Sequence, residues 1–169
     1  MGLLSRLKQN ITDALRAKSR CLVNVEIVGR DAEGRIIGTR RVHNMLVTMG
    51  EAYIAGLLSG ANATGGLMKY VGIGTGTTAE GTAQTALVTE VETRALATQS
   101  RVTTTHTNDT YQAVGAAITM GSARAVTECG LFDQLAVGGN MAARALFAVM
   151  NIPLGGTLAI TWTIAVVGS

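Results

Sequence analysis

Carboxylates and arginines are the groups of this chain whose spacing first invites a chemical reading. Glu90, Glu92 and Arg94 stand within five residues, and Glu128, Asp133 and Arg144 recur near the ends of apolar segments. Two carboxylates flanking a cleft can hydrolyse a glycosidic bond, which leaves a glycan hydrolase using Glu90 or Glu128 as an enzymatic reading. The same residues also make ion pairs, because an arginine set in an apolar strand requires an acidic partner. The pattern favours that second use, for example Glu90 with Arg144 or Arg94 with Glu128.

The other reactive side chains gather into no recognisable centre. His43 and His106 lie far apart, and neither stands in a ligand spacing with Cys, Asp or Glu. Cys21 and Cys129 are equally distant, each beside apolar neighbours, and read as buried free thiols rather than a bridge. No Ser or Cys occupies a nucleophile elbow. The run Val71-Gly-Ile-Gly-Thr-Gly-Thr-Thr78 has the glycine density of an anion-binding loop. It lacks the closing Gly-Lys-Ser/Thr of a phosphate loop and the G-x-G-x-x-G spacing of a dinucleotide site, so these glycines read as structural. No catalytic residue, cofactor or metal site is expected, and the chain is not expected to be an enzyme.

The elements that hold these residues are short and turn-punctuated. Strands are expected over residues 68–74, 94–105, 110–120, 124–133, 141–150 and 157–167, with a short helix over 83–91. A hairpin pairs residues 21–29 with 35–43 across the Asp31-Ala-Glu-Gly34 turn. Thr107-Asn-Asp109 marks a second turn, and a helix covers 49–59 with Thr48 as its N-cap and Glu51 three residues on. In the last strand Leu158, Ile160, Trp162, Ile164 and Val166 share one face, which makes Trp162 a core anchor. This is a mainly β chain, a jelly-roll-like antiparallel β-sandwich over residues 20–169.

Residues 1–19 form a separate arm. Leu3, Leu4, Leu7, Ile11 and Leu15 recur at helical spacing over residues 3–18, while Arg6, Lys8, Arg16, Lys18 and Arg20 make the segment basic. Such a short helix is marginal alone, so its apolar stripe must dock on its own domain, on a neighbouring subunit or, least of all, on a membrane surface. These ten residues are the candidate partner-binding set. Residues 1–41 hold nine Lys/Arg against four acids, and the remainder five against seven, so the arm end is basic and the body slightly acidic. With 15% charged and 47% hydrophobic residues, the surface is largely neutral, as in proteins that bury area against neighbours. No apolar run is long enough to span a bilayer and no secretion signal is visible, so a reducing cytoplasm is the expected place of synthesis.

Several segments together resemble small virion proteins of tailed bacteriophages. They are Arg41-Val-His-Asn-Met-Leu-Val-Thr-Met-Gly50, Tyr70-Val-Gly-Ile-Gly-Thr-Gly-Thr-Thr78 and Thr85-Ala-Leu-Val-Thr-Glu-Val-Glu-Thr-Arg94. Thr127-Glu-Cys-Gly-Leu-Phe-Asp133, Arg144-Ala-Leu-Phe-Ala-Val149 and Leu158-Ala-Ile-Thr-Trp-Thr163 complete the likeness, which spans about residues 20–167. The family includes head decoration (cement) proteins and tail-collar or fibre-like proteins. The resemblance implies a virion location after synthesis in the bacterial host cytoplasm, a jelly-roll-like body and no catalytic residues. The arm and the neutral strands favour the head, with the major capsid protein and a homo-oligomer such as a trimer as partners. Tail or collar proteins are the alternative. No small-molecule substrate, membrane or direct DNA contact is expected.

Overall fold

The computed structural model describes residues 20–44, 46–59 and 67–167. The arm expected over residues 1–19 lies outside these, and of the candidate arm residues only Arg20 falls within them. The described chain is mainly β: β1 (Arg20–Arg30), β2 (Ile36–Asn44), α1 (Thr48–Ser59), β3 (Tyr70–Gly74), β4 (Glu90–Val102), β5 (Thr110–Gly115), β6 (Ile118–Thr119), β7 (Arg124–Phe132), β8 (Met141–Ile152) and β9 (Thr157–Val167).

All pairings are antiparallel, and the strands follow one path, β2-β1-β9-β5-β4-β3-β7-β8, with β6 beside β9. The path curls until its two ends approach, giving a near-barrel. Side chains bridge the seam where strand pairing stops. Arg40 of β2 donates to the carbonyls of Ala148 (3.3 Å) and Val149 (3.4 Å) on β8, and Glu80 accepts the Leu146 N–H. A free strand edge invites pairing with another chain, and these contacts occupy it. Met150 fills the same seam, and a side chain at Gly29 would come within 2.4 Å of its sulfur.

Alternation places the core. Val23, Val25 and Ile27 of β1, Leu158, Ile160 and Trp162 of β9, and Leu131 and Cys129 of β7 all point into the barrel and are essentially inaccessible. Helix α1 seals part of one end through a close backbone approach. The Val47 N–H donates to the Ala142 carbonyl at 3.1 Å, and a Cβ at Gly50 would stand 2.2 Å from that same oxygen. A backbone carbonyl cannot swing aside. Gly50→Ala is therefore expected to cost about 1–3 kcal/mol, as overpacking does, read as a lower midpoint in urea with native strand content.

Most element positions match the sequence pattern, with four differences. The segment 83–91 is not helical; it is an irregular loop pinned from outside, as described below. β4 starts at Glu90 rather than 94, and residues 110–120 split into β5 and β6. α1 begins at Thr48, with the Val47 carbonyl accepting the first bonds from Gly50 and Glu51, so Thr48 is not outside the helix as its cap.

Candidate functional site: two buried ion-pair clusters and an apolar groove

The first cluster is built on Glu128 of β7. Its side chain points away from the barrel interior, yet it is wholly buried because loop 75–89 lies across it. The Gly76 and Thr89 N–H groups donate to Oε1 at 3.0 and 2.8 Å, and the Val88 N–H donates to Oε2 at 3.2 Å. The Arg144 guanidinium from β8 donates to Oε2 at 2.7 Å and spends its remaining N–H groups on Gln84 and the Thr78 carbonyl. The glycine run explains itself here. A Cβ at Gly74 or Gly76 would fall 2.4 or 2.5 Å from Glu128 Oε1. The loop does cradle an anion, and the anion is the chain's own.

The second cluster depends on a β-bulge. Between Val71 and Ile73 of β3, β4 advances from Ala95 to Val91, and Glu92 adopts φ 59°. Alternation with the inward-facing Ala95 and Ala97 sets Arg94 on the outer face, with the bulge between it and Glu90. Arg94 pairs bidentately with Glu90 (2.6 and 2.9 Å), and its guanidinium stacks 3.5 Å from the Phe132 ring centroid. Its Nη1 donates to the carbonyls of Gln134, Ala136 and Gly138 at 2.9–3.0 Å. The Asp133 carboxylate closes the same loop by accepting the Asn140 backbone and side-chain N–H groups. Loop 133–140 is thus fixed from beneath while Val137, at its tip, stays 83% exposed.

The arginines therefore do interrupt apolar strands and do find acids, but with the partners exchanged: Arg94 takes Glu90 and Arg144 takes Glu128. Alternation puts residues 90 and 94 on one face, and Arg94 reaches Glu90 bidentately across the bulge that lies between them. Glu128 and Glu90 are each engaged by an arginine, and Glu128 has no face open to a substrate. A third pair, Glu92 with Arg124, ties the bulge to β7 at 3.0 Å.

The histidines stand apart. His43 on β2 meets the Asn24 side chain, and His106 lies in loop 103–109, whose N–H groups converge on Asp109. Cys21 and Cys129 are free thiols. Burial pushes the Cys129 thiol well up, with Glu80 and Glu128 adding to it, so it stays protonated and inert at neutral pH. No three His, Cys, Asp or Glu among the described residues converge as a metal site would.

Burial alone would raise the Glu128 pKa. The Thr89 N–H, the Arg144 guanidinium and the Val88 and Gly76 N–H groups outweigh it and hold the carboxyl below its ordinary value. A carboxyl lowered in the folded state stabilises fully above its unfolded pKa, and that stabilisation is lost as pH falls through the folded value. Urea midpoints should therefore drop as pH falls below the ordinary carboxylate range. Glu128→Gln should be less stable at neutral pH and should show a shallower acid loss.

An apolar groove of about 380 Å³ opens where α1 meets the barrel end. Tyr53, Ile54 and Leu57 line one side and Ile164 and Val166 the other. Beneath them the Tyr111 hydroxyl donates to the Met68 carbonyl and accepts from Gln99 at 2.9 Å, which fixes the floor. The sequence gives one hint of it, the clustering of Leu57, Leu58 and Leu67 around the end of a helix. Of the candidate arm residues, Leu3, Leu4, Arg6, Leu7, Lys8, Ile11, Leu15, Arg16 and Lys18 lie outside the described residues. Arg20 opens β1 opposite Val167.

No family model matches this chain, and neither a curated protein nor a solved structure matches it. No helix among the described residues is long and apolar enough to cross a membrane.

Proposed function

We propose that this chain is a structural protein of a tailed-bacteriophage particle and, within that class, a head decoration protein that stabilises the assembled shell. One observation carries the reading. The buried ion pairs lock loops 75–89 and 133–140 onto the strands, giving a stiff body that still presents apolar side chains at its surface. Val88, Leu135 and Val137 on these loops, and Leu154 near the far end of β8, are all well exposed. Rigid loops with apolar tips lose little entropy when they bury area against a neighbour. The jelly-roll-like body implied by the resemblance belongs to this proposal, and the antiparallel near-barrel supports its coarser part.

A protein that binds the assembled shell but not its free subunits stabilises the shell by mass action. Many weak contacts repeated across a lattice add through avidity. The basic arm faces an acidic shell surface in this scheme, and further copies of the chain are its lateral partners.

Particles lacking the chain are expected to keep tails and adsorption but release DNA at lower temperature, and adding back the purified chain should restore heat resistance. Particles without the chain that keep full heat resistance but lose their tails or fail to adsorb would move it to the tail or collar, the alternative that the same sequence resemblance allows.

A further inference from the structure

We propose that residues 1–19 fold back onto their own chain, with Leu3, Leu4, Leu7, Ile11 and Leu15 filling the groove between α1 and the end of β9. The inference rests on the groove and the chain path and needs no part of the virion reading.

The groove is unfinished as it stands. Val166 continues the inward row of Leu158, Ile160, Trp162 and Ile164, yet it is 54% exposed, and Leu58 across the opening is 86% exposed. Apolar side chains concentrated in one formed channel mark a binding surface.

The chain path brings the arm to this place. β1 begins at Arg20, which pairs with Val167, and Cys21 pairs with Val166. Arg20, where β1 begins, therefore stands beside the groove wall. Four residues separate Leu15 from Arg20, a tether of at most about 18 Å.

The sequence also limits what can fill the channel. Residues 60–66 read Gly-Ala-Asn-Ala-Thr-Gly-Gly and bring no large apolar side chain. Residues 1–19 bring five at helical spacing. Tethering this closely gives an effective concentration in the millimolar range, which favours the chain's own arm over that of a second copy at micromolar protein. Helical spacing then turns Arg6 and Arg16 away from the stripe, where they remain free for a partner.

Hydrogen exchange on the full chain tests this, comparing the native sequence with Leu7→Asp/Ile11→Asp and, from the groove side, Leu57→Asp. Mass is followed by light scattering through dilution. Either change should speed amide exchange in α1 by about tenfold, as local opening does, while β7 and β8 keep their protection and the mass stays that of one chain. If Leu57→Asp unfolds the body, the arm variant alone decides. Unchanged exchange in α1 on altering the arm would overturn the proposal. Protection that disappears on dilution, together with a dimer mass, would assign the groove to a second copy's arm and overturn it equally.

Discussion

Glu128→Ala should destabilise the protein by about 3–5 kcal/mol, the cost of breaking a buried ion pair by removing one partner. The loss is large because the carboxylate has four partners at once. Its removal leaves Arg144 buried without its counter-charge and strands the N–H groups of Gly76, Val88 and Thr89. Domains are stable by only about 5–15 kcal/mol in total, so this single change consumes a large share. Arg144→Met should cost somewhat less, because the three N–H groups still solvate Glu128. The double variant Glu128→Gln/Arg144→Met should be more stable than the sum of the single changes Glu128→Gln and Arg144→Met predicts, since no charge is then left unpaired. Urea melts of the four proteins close this cycle. Strict additivity would show that the pair is not coupled.

Arg94→Ala is the second large effect, about 3 kcal/mol by the same argument, and its signature is local. Arg94 holds Glu90, the Phe132 face and three carbonyls of loop 133–140 together. Without it, amide exchange should rise across 133–140 before the rest of the fold responds. Arg94→Lys should restore little. An ammonium keeps the charge but cannot pair bidentately with Glu90 while stacking on Phe132 and reaching the carbonyls. Exchange confined to its native rate in that loop would show that the Asp133–Asn140 contacts suffice alone.

The fold was legible where local pattern and tertiary packing agree. The alternation from Leu158 to Ile164 specifies a strand with one buried face, and β9 lies inside the sheet path, between β1 and β5. The Asp31 turn is equally local: its carboxylate accepts the N–H groups of Glu33 and Arg35, and Gly34 takes the positive φ. Distant partners overrule local preference elsewhere. Segment 83–91 gives up helix because Glu128, some forty residues away, takes the N–H groups of Val88 and Thr89. The bulge at Glu92 likewise depends on β3 and β7, so the Arg94–Glu90 pairing across it is not revealed by residue types alone. The glycine run was legible as structural but not as a cradle, because its anion comes from another strand. The groove belongs to the barrel end, which exists only once β9, α1 and β5 are assembled.

We propose that this body is a lattice component of a virion. The most direct test is the copy number of the chain in purified particles of a tailed phage whose genome carries this sequence, measured by quantitative mass spectrometry against the major shell protein. A head decoration protein predicts a ratio near that of the shell subunits, hundreds rather than a handful, in keeping with weak contacts that act by repetition. A ratio typical of a single collar or tail tip would contradict the head assignment, and absence of the chain from the particle would contradict the virion reading itself.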